Sequence, residues 1–351
     1  MLRFNLLFLF VIFSSNISVN GYSNIFLPKT PITNLPKAKT LQSLQKLYGK
    51  KYYIDKWNSY NKLLRTQNIF PTFLLNFLGG WLTIPCYKLL FNKDFWVFSL
   101  ITQLTMMNSM VINDLFDLKV DLINNNNRPL VNKQITIKEA RCLYISITAI
   151  IRFLSICFFF KNMFFINIYG INLVLFLYTP YLKKIMLVKN ITCASVVAST
   201  ILMTSKSIMN NNMNSNIINN INNFDPNINL INIISRFLFL SSFYIELLLD
   251  IKDQKGDKEN NIVTIPNYFG EKKTLNSLIV IFIVNLLYQT SVFYKYKKNK
   301  LLLGFVLSNS IFLNNLFKLR YNCASDAKIM DAVKHTTISL LVFILTFTTS
   351  F

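Results

Sequence analysis

Two acid-rich stretches carry the residues best suited to chemistry. The first is NDLFDLKVDLINNNNRPL, Asn113 to Leu130. The second is ELLLDIKDQKGDKENNIVTIP, Glu246 to Pro266. Asn113, Asp117 and Asp121 recur every fourth residue, so on a helix they share one face. Glu246, Asp250, Asp253 and Asp257 step by four, three and four, again one helical face. Carboxylates so close repel one another and are costly to dehydrate. Two such rows at the ends of long apolar runs point to divalent cations as partners. Mg2+ suits them, because it takes oxygen ligands and shares its shell with substrate phosphates. A diphosphate held between the rows becomes a good leaving group once its developing charge is neutralised. Arg128, Lys183, Lys184, Lys119 and Lys252 are the neighbouring cations that can assist. Solvated loop acids paired with lysines would explain any one of these residues alone. They explain two regularly spaced rows on one predicted face less well.

The elements that position these rows are apolar helices. The chain has 351 residues, of which 52% are hydrophobic and 15% charged, with a mean hydropathy of +0.38. Soluble domains carry about 25% charged residues, so this composition describes a polytopic all-α membrane protein with one main domain. Apolar runs predict nine transmembrane helices at 69–90, 95–113, 140–160, 163–182, 191–208, 231–249, 274–294, 301–319 and 335–351. These would surround an apolar chamber, which suits a substrate with a diphosphate head and a long hydrocarbon tail and keeps water from a carbocation. Both acidic rows and the basic loop at Lys183, Lys184 and Lys189 fall on one membrane face, and their positive charge marks it as the cytosol-like side. KYKKNK, residues 295–300, falls on the other face. The net charge of +22 comes from Lys in short loops, which sets orientation in a bilayer and argues against nucleic acid. The five cysteines show no CxxC spacing and read as small buried hydrophobes. The single His335 excludes a multi-histidine metal site.

Residues 1–20 resemble a signal peptide: Arg3, the apolar run Phe4 to Phe13, then small and polar residues. Residues 1–54 hold no Asp or Glu. A signal-like stretch followed by a basic, acid-free one is similar to the bipartite leaders of secondary plastids. The expected location is therefore an organellar membrane, plastid-like (apicoplast-type), with the ER or mitochondrial membrane as alternative. Residues 1–54 form the expected leader and residues 60–351 the enzyme domain. The Asn-rich tract at 210–229 reads as a low-complexity loop without chemistry of its own.

Beyond spacing, the ordered set of motifs resembles the UbiA superfamily of intramembrane prenyltransferases. Asn113-Asp114-x-x-Asp117-x-x-x-Asp121 with Arg128-Pro129-Leu130 matches its first signature. Asp250-x-x-Asp253-x-x-x-Asp257, with Thr264-Ile265-Pro266 and Phe269-Gly270, is similar to the second. Tyr178, Lys183, Lys184 and Asn190 resemble the YxxxxK region between them. The resemblance implies that Asn113, Asp117 and Asp121 hold one Mg2+ and that Asp250, Asp253 and Asp257 hold a second. It implies that Arg128, Lys183 and Lys184 contact the diphosphate of a prenyl donor, and that Tyr178 faces the reacting carbon or the acceptor. Arg65 and Asn68 resemble a position near the acceptor, which would be a lipophilic aromatic or alcohol. DIKDQKGDK is closest to the branch that prenylates glycerol ethers, homogentisate and chlorophyllide. Glu259-Asn260-Asn261, Ile245 and Met203-Thr-Ser-Lys206 depart from that branch. A membrane transporter with acidic cation sites is the alternative, although transporter carboxylates more often sit at mid-membrane.

Overall fold

The computed structural model describes residues 39–84, 86–123, 128–161, 164–211, 230–259, 263–295, 299–321 and 325–348. They are helical throughout, without a strand among them. The long helices are α1 (Lys39–Leu64), α2 (Ile69–Thr83), α3 (Lys93–Phe116), α5 (Ile137–Phe159), α6 (Phe164–Tyr178), α7 (Val188–Asn211), α8 (Leu230–Lys252), α11 (Glu271–Lys295), α12 (Asn299–Tyr321) and α13 (Asp326–Thr348). The short helices α4 (Leu118–Ile123), α9 (Gln254–Glu259) and α10 (Ile265–Phe269) cap the ends of α3 and α8.

Each of the nine expected spans contains a helix, but not each is a full crossing. Six are long and apolar enough among the described residues: α3, α5, α7, α8, α11 and α12. α6 is apolar but has only 15 residues. The expected span 69–90 ends early, at Thr83. Pro85 explains this, because a proline biases the preceding residue away from helix and cannot donate to the ladder. Pro71 is tolerated because it falls in the first turn of α2, where its missing N–H has no partner to lose. The leader boundary at residue 54 lies inside α1, which crosses it without a break. Residues 1–38 and 212–229, most of the leader and of the Asn-rich tract, lie outside the described residues.

Two packed regions meet at α7. One side stacks aromatics of α8, α11, α12 and α13: Phe282 lies 5.0 Å from Phe312, and Phe237 lies 4.7 Å from Phe343. The other joins α3, α5 and α6 through Phe98, Phe159 and Phe164. α2 approaches α7 so closely that a Cβ on Gly79 would stand 2.8 Å from Ile201 O. Small residues permit such contact where lipid supplies no hydrophobic drive between helices. α5 begins with a capping box: Glu139 N–H donates to Thr136 Oγ1 at 3.2 Å, and Thr136 N–H donates to Glu139 Oε2 at 2.7 Å. Lys56 of α1 donates to the same Glu139 oxygen at 2.9 Å, which docks α1 beside the mouth of the bundle.

Candidate active site

Both acidic rows sit where a long helix breaks for one residue. Asp117 separates α3 from α4, and Asp253 separates α8 from α9. Hydrogen bonds carry the helical phase across each break. Asp117 N–H donates to Asn113 O at 2.9 Å and Asp121 N–H to Asp117 O at 2.8 Å. Asp253 N–H donates to Leu249 O at 2.9 Å and Asp257 N–H to Asp253 O at 3.0 Å. The expected common faces therefore survive the breaks.

The α6–α7 loop joins the two rows. Its one-turn helix Leu182–Lys184 presents Lys183, whose Nζ donates to Asp117 Oδ2 at 2.5 Å. Six residues on, Lys189 Nζ donates to Asp250 Oδ1 at 2.5 Å, and Asn190 Nδ2 donates to Asp250 Oδ2 at 2.8 Å. Asp257 feels both lysines and both Asp250 and Asp253 electrostatically. First row, basic loop and second row thus form one charged mouth. Burial pushes the Asp257 carboxyl above the ordinary carboxylate range; Asp250 and Asp253 push the same way, and Lys189 and Lys183 pull against it.

The remaining expected residues gather here with different surroundings. Thr179 Oγ1 lies 3.5 Å from Asn113 Oδ1. Arg128 Nε stands 4.0 Å from Asp121 Oδ2. Cys193 Sγ donates to Tyr178 OH at 3.1 Å, and Glu246 lies within electrostatic reach of both. Asp253 is exposed, and Lys184 makes no ion pair among the described residues.

Two residues matter here that the row spacing omits. Asp114 is 1% exposed, and its Oδ1 accepts from both Arg65 and Arg128 at 3.1 Å. It stands one position off the row, so it faces inward; the signal was the rule that a buried acid needs a cation. Lys189 was legible only as loop charge. Arg65, Lys133 and Leu187 hold positive φ angles of 48°, 54° and 69°. Each lies in a segment that delivers a cation to the mouth, and such strain, roughly 1–3 kcal/mol apiece, concentrates at functional sites.

Beneath the first row runs a cavity of about 1010 Å³ between α3, α5 and α6. Thr105 and Ser109 in its wall continue the four-residue stripe of Asn113 and Asp117. Ile112, Ile151, Leu173 and Phe176 make much of the rest apolar. Among the described residues no three Asp, Glu, His or Cys side chains close on one point that could hold a metal. The donors nonetheless fit a hard cation. All are oxygens, and Asp257 Oδ2 is buried without a hydrogen-bond partner among the described residues. Mg2+ needs only one or two carboxylates where phosphates complete its shell.

Known proteins share this fold. The family model described as the UbiA prenyltransferase family matches residues 71–338. Digeranylgeranylglyceryl phosphate synthase of Methanococcus maripaludis is 23% identical over 268 residues, 75% of this chain and 87% of the relative. The enzyme of that name from Saccharolobus solfataricus is 26% identical over 222 residues, 62% and 70%. A solved digeranylgeranylglyceryl phosphate synthase structure superposes with a TM-score of 0.63 at 19% identity, covering 84% of this chain and 98% of its own. A UbiA homolog from Archaeoglobus fulgidus bound to DMAPP and Mg2+ superposes with a TM-score of 0.55 at 18% identity, covering 82% and 98%. With its family model spanning most of the helical bundle, this integral membrane chain belongs to the UbiA prenyltransferase family.

Proposed function

We propose that this prenyltransferase moves a polyprenyl group from a prenyl diphosphate to a hydroxyl of a glyceryl phosphate lipid. One observation carries the reading: two acidic rows and a basic loop share one mouth above an apolar cavity. The relatives' printed names support the acceptor class.

Asn113, Asp117 and Asp121, with Asp250, Asp253 and Asp257 opposite, are the oxygen donors we assign to Mg2+. Bound there, the metal neutralises charge on the departing diphosphate. Arg128, Lys183 and Lys184 take the diphosphate oxygens. Lys183 can exchange the Asp117 carboxylate for a phosphate oxygen and stay charge-paired throughout. The bond from the prenyl carbon to the diphosphate oxygen breaks, and the diphosphate keeps the electron pair. The acceptor oxygen bonds to that carbon and gives its proton to the departing diphosphate. To Tyr178, half-buried at the end of α6, we assign facing the carbon and helping to exclude water.

The location we favour is a plastid-like organelle, supported by the signal-like and acid-free leader. A reporter fused to residues 1–60 should reach an endomembrane-derived organelle; a cytosolic or mitochondrial reporter counts against it. For the activity, membranes with and without the protein receive labelled prenyl diphosphate and a panel of glyceryl phosphate and aromatic acceptors. Mg2+-dependent labelling of the glyceryl phosphate lipid is expected. Transfer that persists in EDTA defeats the metal assignment.

A further inference from the structure

Arg152 lies within α5, a helix apolar enough to cross a membrane, and its neighbours on the chain are Ile151 and Phe153. No carboxylate pairs with it among the described residues. Ionisable side chains at such depth are costly and mark ligand paths. Helical side chains lean toward the N-terminus of their helix. Arg152 lies within electrostatic reach of Tyr144, whose hydroxyl meets the Thr148 side chain one turn from Arg152. Its side chain lines the cavity together with Tyr144 and Thr148.

The cavity wall around it is prepared for a polar guest. Asn108 is 5% exposed, and its Oδ1 has no hydrogen-bond partner among the described residues. Its Nδ2 donates to Thr148 Oγ1 at 2.9 Å, and Thr148 Oγ1 donates to Tyr144 O at 2.8 Å. That chain fixes the amide and leaves Oδ1 to accept from something else. Asn108, Thr148 and Arg152 all line the same cavity. An unpaired cation beside an unpaired acceptor calls for a ligand with an anion and a hydroxyl.

Depth fits an acceptor. Asn108 precedes Asp117 by nine residues, about 13 Å along α3. Arg152 stands fifteen residues into α5, about 22 Å below its mouth end, one turn beyond Thr148, to which Asn108 donates. That interval accommodates the reacting carbon and a short polar head in series beneath the diphosphate.

We propose that Arg152 and Asn108 form the subsite for the acceptor's polar head, with the guanidinium on its phosphate and Asn108 Oδ1 accepting from a hydroxyl. The inference rests on the glyceryl phosphate reading and adds where that phosphate is held. The subsite selects charged acceptors over neutral alcohols of the same shape.

The test compares a glyceryl phosphate lipid with its dephosphorylated alcohol, using the full-length protein in vesicles. Arg152→Gln should raise KM for the phosphorylated acceptor about 10- to 100-fold, the worth of one charge-assisted hydrogen bond, with kcat nearly unchanged. The same variant should use the neutral alcohol as the parent does, and Arg152→Lys should recover much of the affinity. A parent-like KM in Arg152→Gln overturns the subsite. Equal losses for both acceptors overturn it too, because they report a structural role. If the parent protein prenylates only uncharged acceptors, this subsite and the glyceryl phosphate reading both fall, while prenyl transfer itself stands.

Discussion

The two acidic segments look alike in sequence and are held differently. In the first, the tightly fixed carboxylate is Asp114, off the row and gripped by Arg65 and Arg128. Among the described residues the row member Asp117 pairs with Lys183 alone, whose side chain is 30% exposed. In the second, the fixed carboxylate is in the row: Asp250 is 2% exposed and gripped by Lys189 and Asn190. On the proposed metal roles, the first segment separates anchoring from ligand duty, and the second gives both to one residue. Variants at Asp117 should therefore uncouple activity from stability, and variants at Asp250 should not.

The largest effect is expected where the segments agree. Asp117→Asn and Asp253→Asn keep size and remove a donor charge at the two helix breaks. Each should insert normally yet lose at least ~10²-fold in prenyl transfer, beyond the ~10–100-fold of outer-shell losses. Labelled transfer in membranes, with and without EDTA, measures this; parent-like activity in either variant would sink the shared metal role.

Next comes the lysine pair. Lys189→Met leaves Asp250 buried without its cation, which costs roughly 3–5 kcal/mol. Lys183→Met should cost only about 0–1 kcal/mol because its pair is partly solvated. Thermal unfolding in detergent separates them. The double change Lys189→Met with Asp250→Asn should regain most of the lost stability, since removing both charges also removes the burial penalty. If Lys183→Met proves the more destabilising, the contrast is wrong.

A pH series sharpens the second segment. The folded Asp257 carboxyl titrates above its ordinary value of 3.8, chiefly through burial. A raised carboxylate pKa means folding itself favours the protonated form, so this group costs stability above the ordinary value and relieves that cost as pH falls. Metal binding needs the deprotonated form, so the Mg2+ requirement should rise as pH drops toward the carboxylate range. Asp257→Asn should flatten that dependence. A pH-independent requirement in the parent protein would exclude Asp257 as a ligand.

The smallest effect belongs to the Asn-rich tract. Asn→Ala changes within 210–223 should leave transfer and unfolding unchanged, as measured in the same assays. A clear loss would give that tract a role its composition does not suggest.

What the sequence made legible was local. Asn113, Asp117 and Asp121, and Asp250, Asp253 and Asp257, follow from helical period alone, as does their position at the ends of apolar runs. What it hid was distant. Arg65 and Asp114 are 49 residues apart, and Lys189 and Asp250 are 61 apart. Only the folded bundle brings them together. The one-residue breaks at Asp117 and Asp253 carry no Gly or Pro to announce them. Pro85 signals the early end of α2, and the apolar residues beyond it mask that signal.

The shortness of α6 has a consequence for the surrounding lipid. Its 15 residues reach about 22 Å, while a hydrocarbon core is about 30 Å thick. Lipid adapts to a short helix by thinning around it. α6 forms one lip of the cavity, so the leaflet should be pinched where the cavity meets lipid. Headgroups and water would then approach Arg152 from the side, and an amphiphile could slide in without crossing a full leaflet. Transfer to a lipid acceptor should accordingly fall when the protein is moved from short-chain to long-chain phospholipid vesicles, because a thicker bilayer resists that pinch. Activity indifferent to chain length would mean that acceptors enter by another route.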